Sequence, residues 1–214
     1  MRRGEILKAA RAVIEEHGPN ALTGQIADRA GLARPNFYRH FSSKDELDLA
    51  IVRSGYADLR SEVRKRIAKC DTPIDLVRAL IAAQVVWARR HQNTYRFLVS
   101  RGLFQRLADA GGKRNSRRRR AESQDFAAEL VVAATRYVPR LAEDPDAAEA
   151  TIIELAAFTQ ASILLWLARR TDSADGLTDR LTTQNWLIID DHLRRIGTHL
   201  DPAMQISRPE QVGS

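Results

Sequence analysis

The chain has 214 residues, a formal net charge of +7, 44% hydrophobic residues and one cysteine, Cys70. That length allows one large domain, or a small one followed by a medium one, with enough apolar material for a buried core. A lone cysteine excludes an internal disulfide, the basic balance favours a polyanionic partner such as DNA, and sparse Gly and Pro with no alternating β-branched runs predict an all-α fold.

In chain order the periodicity predicts about nine helices. The first runs from near Arg3 to His17, with Ile6, Ala10, Val13 and Ile14 on one face, and stops at Gly18-Pro19. Two short helices follow, near 24–30 and 34–40. Thr23 can cap the first of them. Ile26 and Ala30 share a face, small Ala27 allows a close crossing, and Gly31 suits the left-handed position that ends a helix. Pro35 fits a first helical turn, where a missing N–H costs nothing. Phe37 and Phe41 bury one side of the second helix, and Arg34, Asn36, Tyr38, Arg39 and His40 occupy the other. Arg pairs with guanine and Asn with adenine, while Tyr, His and Lys hold phosphates. Two helices joined by a tight turn, the second basic and aromatic, have the layout of a helix-turn-helix.

Ile26-Ala27-Asp28-Arg29-Ala30-Gly31-Leu32, then Phe37-Tyr38-Arg39-His40-Phe41, then Lys44-Asp45-Glu46-Leu47, resembles the N-terminal signature of the tetracycline-repressor (TetR) family of transcriptional regulators, over roughly residues 5–52. The resemblance implies an all-helical homodimer: a three-helix DNA-binding domain at 1–46 and an effector-binding and dimerisation domain at 47–200; the chain's own pattern adds a flexible tail at 201–214. It implies a double-stranded DNA operator, phosphate contacts from Tyr38, His40 and Lys44, and further contacts at Thr23, Gln25 and Pro35; the family's pattern and side-chain chemistry together nominate Arg34, Asn36 and Arg39 as base readers. Each of these three is equally compatible with a solvated charge or a phosphate contact. The chain departs from the family where Ala33 replaces the usual Ser or Thr cap, at a local cost of about 1 kcal/mol. It departs again where Thr23 lies three rather than four residues before Ile26, and where Asn36 replaces Thr or Ser.

Ser43 and Glu46 read as the capping box of a fourth helix that continues to about Lys69, long enough to connect domains. Asp71-Thr72-Pro73 opens a fifth helix to about Arg90, and a sixth covers roughly 94–108 before Gly111-Gly112. A seventh covers roughly 116–137, an eighth Pro145–Arg170 and a ninth 177–197. Cations in the run Arg117–Arg120 oppose the helix dipole, which reads as an exposed loop. Trp87, Tyr95, Phe97, Phe104, Phe126 and Phe158, with Tyr137, fall where the resemblance implies a pocket for an unknown small-molecule effector; at helical spacing they also read as core. Arg89, Arg90, His91 and Arg96 either recognise an acidic ligand or form a solvated face. The last two helices are apolar, and the resemblance implies a two-fold interface carrying Ile163, Trp166, Trp186, Ile189 and Leu193; burial within one chain is the alternative.

Five histidines show no metal-ligand spacing, and neither a Gly-rich phosphate loop nor a nucleophile elbow is present. The expectation is therefore no enzyme, no cofactor and no metal. Charges interrupt the N-terminal stretch where a signal peptide needs an apolar run. The Ser162–Ala168 segment falls short of the roughly 20 apolar residues of a membrane span, so a cytoplasmic chain without a membrane partner is expected. The predicted function is a dimeric transcriptional regulator, a repressor released from a palindromic operator by a small molecule. The alternative is a helical protein-interaction module whose helix-turn-helix binds no specific DNA.

Overall fold

The computed structural model describes residues 3–33, 37–111, 130–170 and 172–206, with the backbone alone for 102–111. Among the described residues the chain is all helical: α1 (Arg3–His17), α2 (Thr23–Arg29), α3 (Lys44–Ile67), α4 (Pro73–Arg90), α5 (Gln92–Gly111), a 3₁₀ turn (Pro139–Ala142), α6 (Pro145–Arg169) and α7 (Ala174–Arg195). The Arg117–Arg120 run, Phe126, the first part of the predicted seventh helix and the tail beyond Ile206 lie outside the described residues. The chain forms two compact units, Met1–Arg60 with Trp87–Ser116, and Ser61–Val86 with Arg117–Ser214.

In the first unit, Ile6, Ala10, Val13 and Ile14 of α1 are buried, as their spacing predicts, beside Ile26 and Ala27 of α2. Outside this small core Glu16 pairs with Arg29, tying the two helices together. Thr23 does not cap α2. Leu22 holds the extended capping position, and its N–H donates to Gln25 Oε1 at 2.8 Å, so the third helical residue reaches back where no side-chain cap exists. The turn after α2 follows the sequence closely. Gly31 adopts φ +67°, its N–H donates to Asp28 O at 3.0 Å, and Leu32 N–H donates to Ala27 O at 2.9 Å. This pair of bonds closes a helix end only when the residue after the cap is left-handed.

At the start of α3, Glu46 N–H donates to Ser43 Oγ at 3.1 Å. The Glu46 carboxylate accepts from the N–H and hydroxyl of Ser42, each at 2.7 Å. Farther along α3, a Cβ on Gly55 would lie 2.6 Å from Leu98 Cδ1, so glycine lets α3 and α5 approach closely. The N-terminus of α5 is capped by α1: Glu15 accepts from Thr94 N at 3.0 Å, Thr94 Oγ1 at 2.8 Å and Asn93 N at 3.2 Å.

In the second unit, Asp144 caps α6 through Ala147 N–H at 3.0 Å, and Ser173 caps α7 through Gly176 N–H at 3.0 Å. Helix α7 thus starts three residues before the predicted Leu177, because the cap and its dipole-favoured Asp175 lie upstream of the apolar pattern. Helices α6 and α7 meet through a buried Thr159–Asn185 hydrogen bond. Arg140 in the 3₁₀ turn donates to the carbonyls of Ile196 and Gly197 at the end of α7. The expected tail is anchored in its first part. Ile74 N–H donates to Pro202 O at 3.1 Å, Ile206 N–H donates to Asp71 O at 2.8 Å, and the Ile206 side chain is buried.

Helix α6 also corrects the expectation about membrane length. Taken whole, its 25 residues are long and apolar enough to cross a bilayer by length and composition alone, a property shared by core and interface helices of globular proteins. Counting only Ser162–Ala168 misses this because the apolar stretch continues toward the N-terminus with few charges.

Candidate nucleic-acid interface

The helix-turn-helix is built from inside outward. Ile26, Ala27, Phe37 and Phe41 are almost fully buried and fix the two motif segments against α1. The rings of Phe37 and Phe41 lie 6.0 Å apart, and Tyr38 meets Phe37 edge-on at 5.7 Å. With Phe37 turned inward, Tyr38 projects outward and is 54% exposed; Arg39 is exposed and His40 half-buried. Thr23, Gly24 and Ala27 from α2 share a small hollow with Phe37 and Tyr38, which brings the predicted contacts Thr23 and Tyr38 together. Gln25 is half-buried and committed to the Leu22 N–H. Arg34, Pro35 and Asn36 lie outside the described residues.

Lys44 stands at the first position of α3 and is half exposed. Its ammonium lies 3.1 Å from Asp48 Oδ1, an i,i+4 pair whose carboxylate is buried. Arg101 approaches the same carboxylate at 3.6 Å. Two cations around one buried anion leave net positive charge beside the reader, which suits a phosphate contact. Asp48 is a neighbour of Lys44 that the motif alone does not reveal, although the Lys44–Asp48 spacing carries the signal.

Arg3 is a second residue that the motif alone does not reveal. Its guanidinium donates to His40 O at 3.1 Å and to Glu46 Oε1 at 2.7 Å, and lies 4.2 Å from the centroid of the Phe41 ring. One α1 side chain thereby fixes the end of the reader segment and the start of α3. The Ser42 hydroxyl, the Ser42 N–H and Arg3 together hold the Glu46 carboxyl at about 2, so this clamp stays charged well into acid.

The residues nominated for an effector pocket divide. Trp87, Tyr95 and Phe97 are buried in the first unit. The side chains of Phe104 and Phe126 lie outside the described residues. Phe158 belongs to the second unit and is exposed on α6. The nominated interface residues divide as well. Ile163, Trp166 and Leu193 are buried within the chain, with the Trp166 indole N–H donating to Asp172 O at 2.8 Å, and Trp186 and Ile189 are half-buried. The large apolar side chains left exposed on α6 and α7 are Phe158, Leu165, Leu187 and Ile188. An all-apolar helix hides this distinction in sequence, because inward and outward faces are equally hydrophobic. Among the described residues no group of acidic, His and Cys side chains is arranged to hold a metal.

Comparison with known proteins supports the same region. Residues 6–51 match the family model of bacterial regulatory proteins, tetR family. The transcriptional activator FasR of Mycolicibacterium smegmatis is 36% identical over 98 residues, 45% of each chain. The transcriptional repressor KstR2 of Mycobacterium tuberculosis is 34% identical over 92 residues, 42% of this chain and 46% of that protein. The chain thus spans about half the length of the curated relatives it matches. Among solved structures, a transcriptional regulator from Rhodococcus sp. Rha1 superposes with a TM-score of 0.65 at 18% identity, over 89% of this chain and 97% of that one. A TetR variant from Acinetobacter baumannii AYE, in complex with minocycline, gives 0.63 at 16% identity, over 92% and 99%. These likenesses extend the shared fold through the C-terminal helices.

Proposed function

We propose that this chain, which belongs to the tetR family of bacterial regulatory proteins, is a dimeric DNA-binding transcriptional regulator, a repressor that a small molecule releases from a palindromic operator. The observation that carries the reading is the coincidence of the family match at 6–51 with an outward Tyr38 and Arg39 on a reader held by buried Phe37 and Phe41. In this reading residues 1–46 bind DNA and 47–200 bind effector and partner. Tyr38, His40 and Lys44 position the protein on phosphates, while Arg34, Asn36 and Arg39 read bases.

Dimerisation rests on the exposed apolar stripe of α6, where Phe158, Ala161, Leu165 and Ala168 recur at helical spacing, and on Leu187 and Ile188 of α7. Covering these faces with a second copy gives an isologous interface and matches the symmetry of an inverted-repeat operator. It also accounts for an α6 that is strongly apolar yet little buried. An effector belongs to this reading through the family match, with the buried Trp87, Tyr95 and Phe97 of the first unit among its nominated lining. Selection from a random duplex library tests the reading: the purified protein is expected to enrich an inverted repeat with half-sites one helical turn or a multiple apart. Recovery of no common sequence would sink it.

A further inference from the structure

A cleft of about 480 Å³ opens in the first unit, within the range of small-molecule sites. Helix α1 contributes one stripe to it, Gly4, Leu7, Lys8, Arg11, Ala12 and Glu15. Ser54 of α3 and His91 and Thr94 at the α4–α5 elbow close the other sides. The body of the cleft is apolar, formed by Leu7, Ala12 and the aliphatic stems of Lys8 and Arg11.

The lining cations are Lys8 and Arg11, and with Asp58 pairing Arg11 from the rim only Lys8 has no paired carboxylate among the described residues. The one lining carboxylate, Glu15, is committed to the elbow through Asn93 and Thr94. Arg11 pairs with Asp58 across the cleft rim, and Lys8 is exposed at the mouth. His91 packs on Trp87 with ring centroids 4.9 Å apart and the ring planes tilted by 49°. The groups facing this imidazole are Arg11 and Glu15 from α1, Asp58 from α3 and Arg90 from α4.

We propose that this cleft binds a small organic carboxylate with an apolar body, its anionic end beside Lys8 and His91 and its body along Leu7 and Ala12. The inference rests on the effector reading and goes beyond it, naming a ligand class and a place mostly on α1 rather than among the residues nominated for an effector in 47–200. Most of the lining belongs to the first helix of the DNA reader, so a ligand here acts on the reader without crossing the chain. Burial first, and then Arg11, hold His91 below the ordinary imidazole value, so the free protein keeps it neutral at neutral pH. A bound carboxylate favours the charged form, raises that value and draws a proton into the site. Binding therefore tightens as pH falls toward the lowered imidazole value.

The test measures binding without DNA, so it can fail independently of the operator reading. Sodium octanoate is titrated into the full-length protein and followed by the His91 imidazole NMR resonances, with sodium acetate and 1-octanol as controls. Octanoate is expected to shift His91, and each control to bind about tenfold or more weakly. Lys8→Gln removes the cation at the mouth. Gly4→Leu fills open space, because a Cβ there meets nothing within 4 Å. Both positions are exposed, so the fold is retained, and each variant should weaken octanoate about tenfold. Failure of octanoate to move His91, or binding unchanged in both variants, overturns the proposal. Lys8→Gln that weakens DNA binding and leaves octanoate untouched also overturns it, marking Lys8 as a phosphate contact.

Discussion

Leu187→Ser tests the proposed two-fold interface separately from the core. Leu187 is 62% exposed in the single chain. Full burial of a leucine contributes about 1.5–3 kcal/mol, so covering its exposed share contributes about 1–2 kcal/mol per protomer. In a two-fold interface the residue counts on both sides, giving about 2–4 kcal/mol per dimer. At about 1.4 kcal/mol per tenfold, the dimer dissociation constant should rise roughly 30- to 1,000-fold. Sedimentation equilibrium across protein concentration reads that shift, and circular dichroism checks that the helices persist. Ile163→Ala is the contrast. Its side chain is fully buried, so the loss should appear as about 2–5 kcal/mol of fold stability. An unchanged dimer constant in Leu187→Ser, with the helices intact, would refute the assignment of this face to a second copy.

Three further outcomes follow from the reader. Replacing Tyr38 with Phe and Lys44 with Gln together should weaken binding to all duplexes alike and lower the salt slope by about one, for the single cation lost at Lys44, read by titration at several ionic strengths. Gly31→Ala should cost about 1–2 kcal/mol in denaturant unfolding, because a Cβ there meets no atom within 4 Å and only the left-handed φ of +67° opposes it; no loss would show that the turn relaxes. Glu46 is held at about 2 against an ordinary value of 4.5. Its contribution is therefore complete above about pH 4.5 and lost as pH falls toward 2, so Glu46→Gln should flatten that acid limb of the stability profile. An identical limb in both proteins would show that other carboxylates carry it.

Much of the reader is legible in the sequence because local rules decide it. The α1 face, Gly31 and the Ser43–Glu46 cap each follow from spacing and residue type alone. Thr23 misleads because a capping residue type stands next to the true boundary, and Gln25 supplies the missing partner from inside the helix. Ile163 and Leu165 show the deeper limit. Both are apolar and two residues apart on one helix, yet one is buried and the other is 52% exposed. Only the position of α7 decides which face is inside, and that information is tertiary. Ile206 is similar: one apolar residue in a polar tail carries no periodicity, yet it packs and hydrogen-bonds to Asp71. The Lys44–Asp48–Arg101 cluster joins residues more than fifty positions apart, so the sequence offers only its local half.

The most direct measurement compares the affinity of the purified protein for its selected inverted repeat with that for a scrambled duplex of equal length, at one physiological salt concentration. A reader that specifies sequence through base contacts predicts a ratio of about a thousandfold or more. Equal affinity for the two duplexes would leave only charge attraction and would contradict the account.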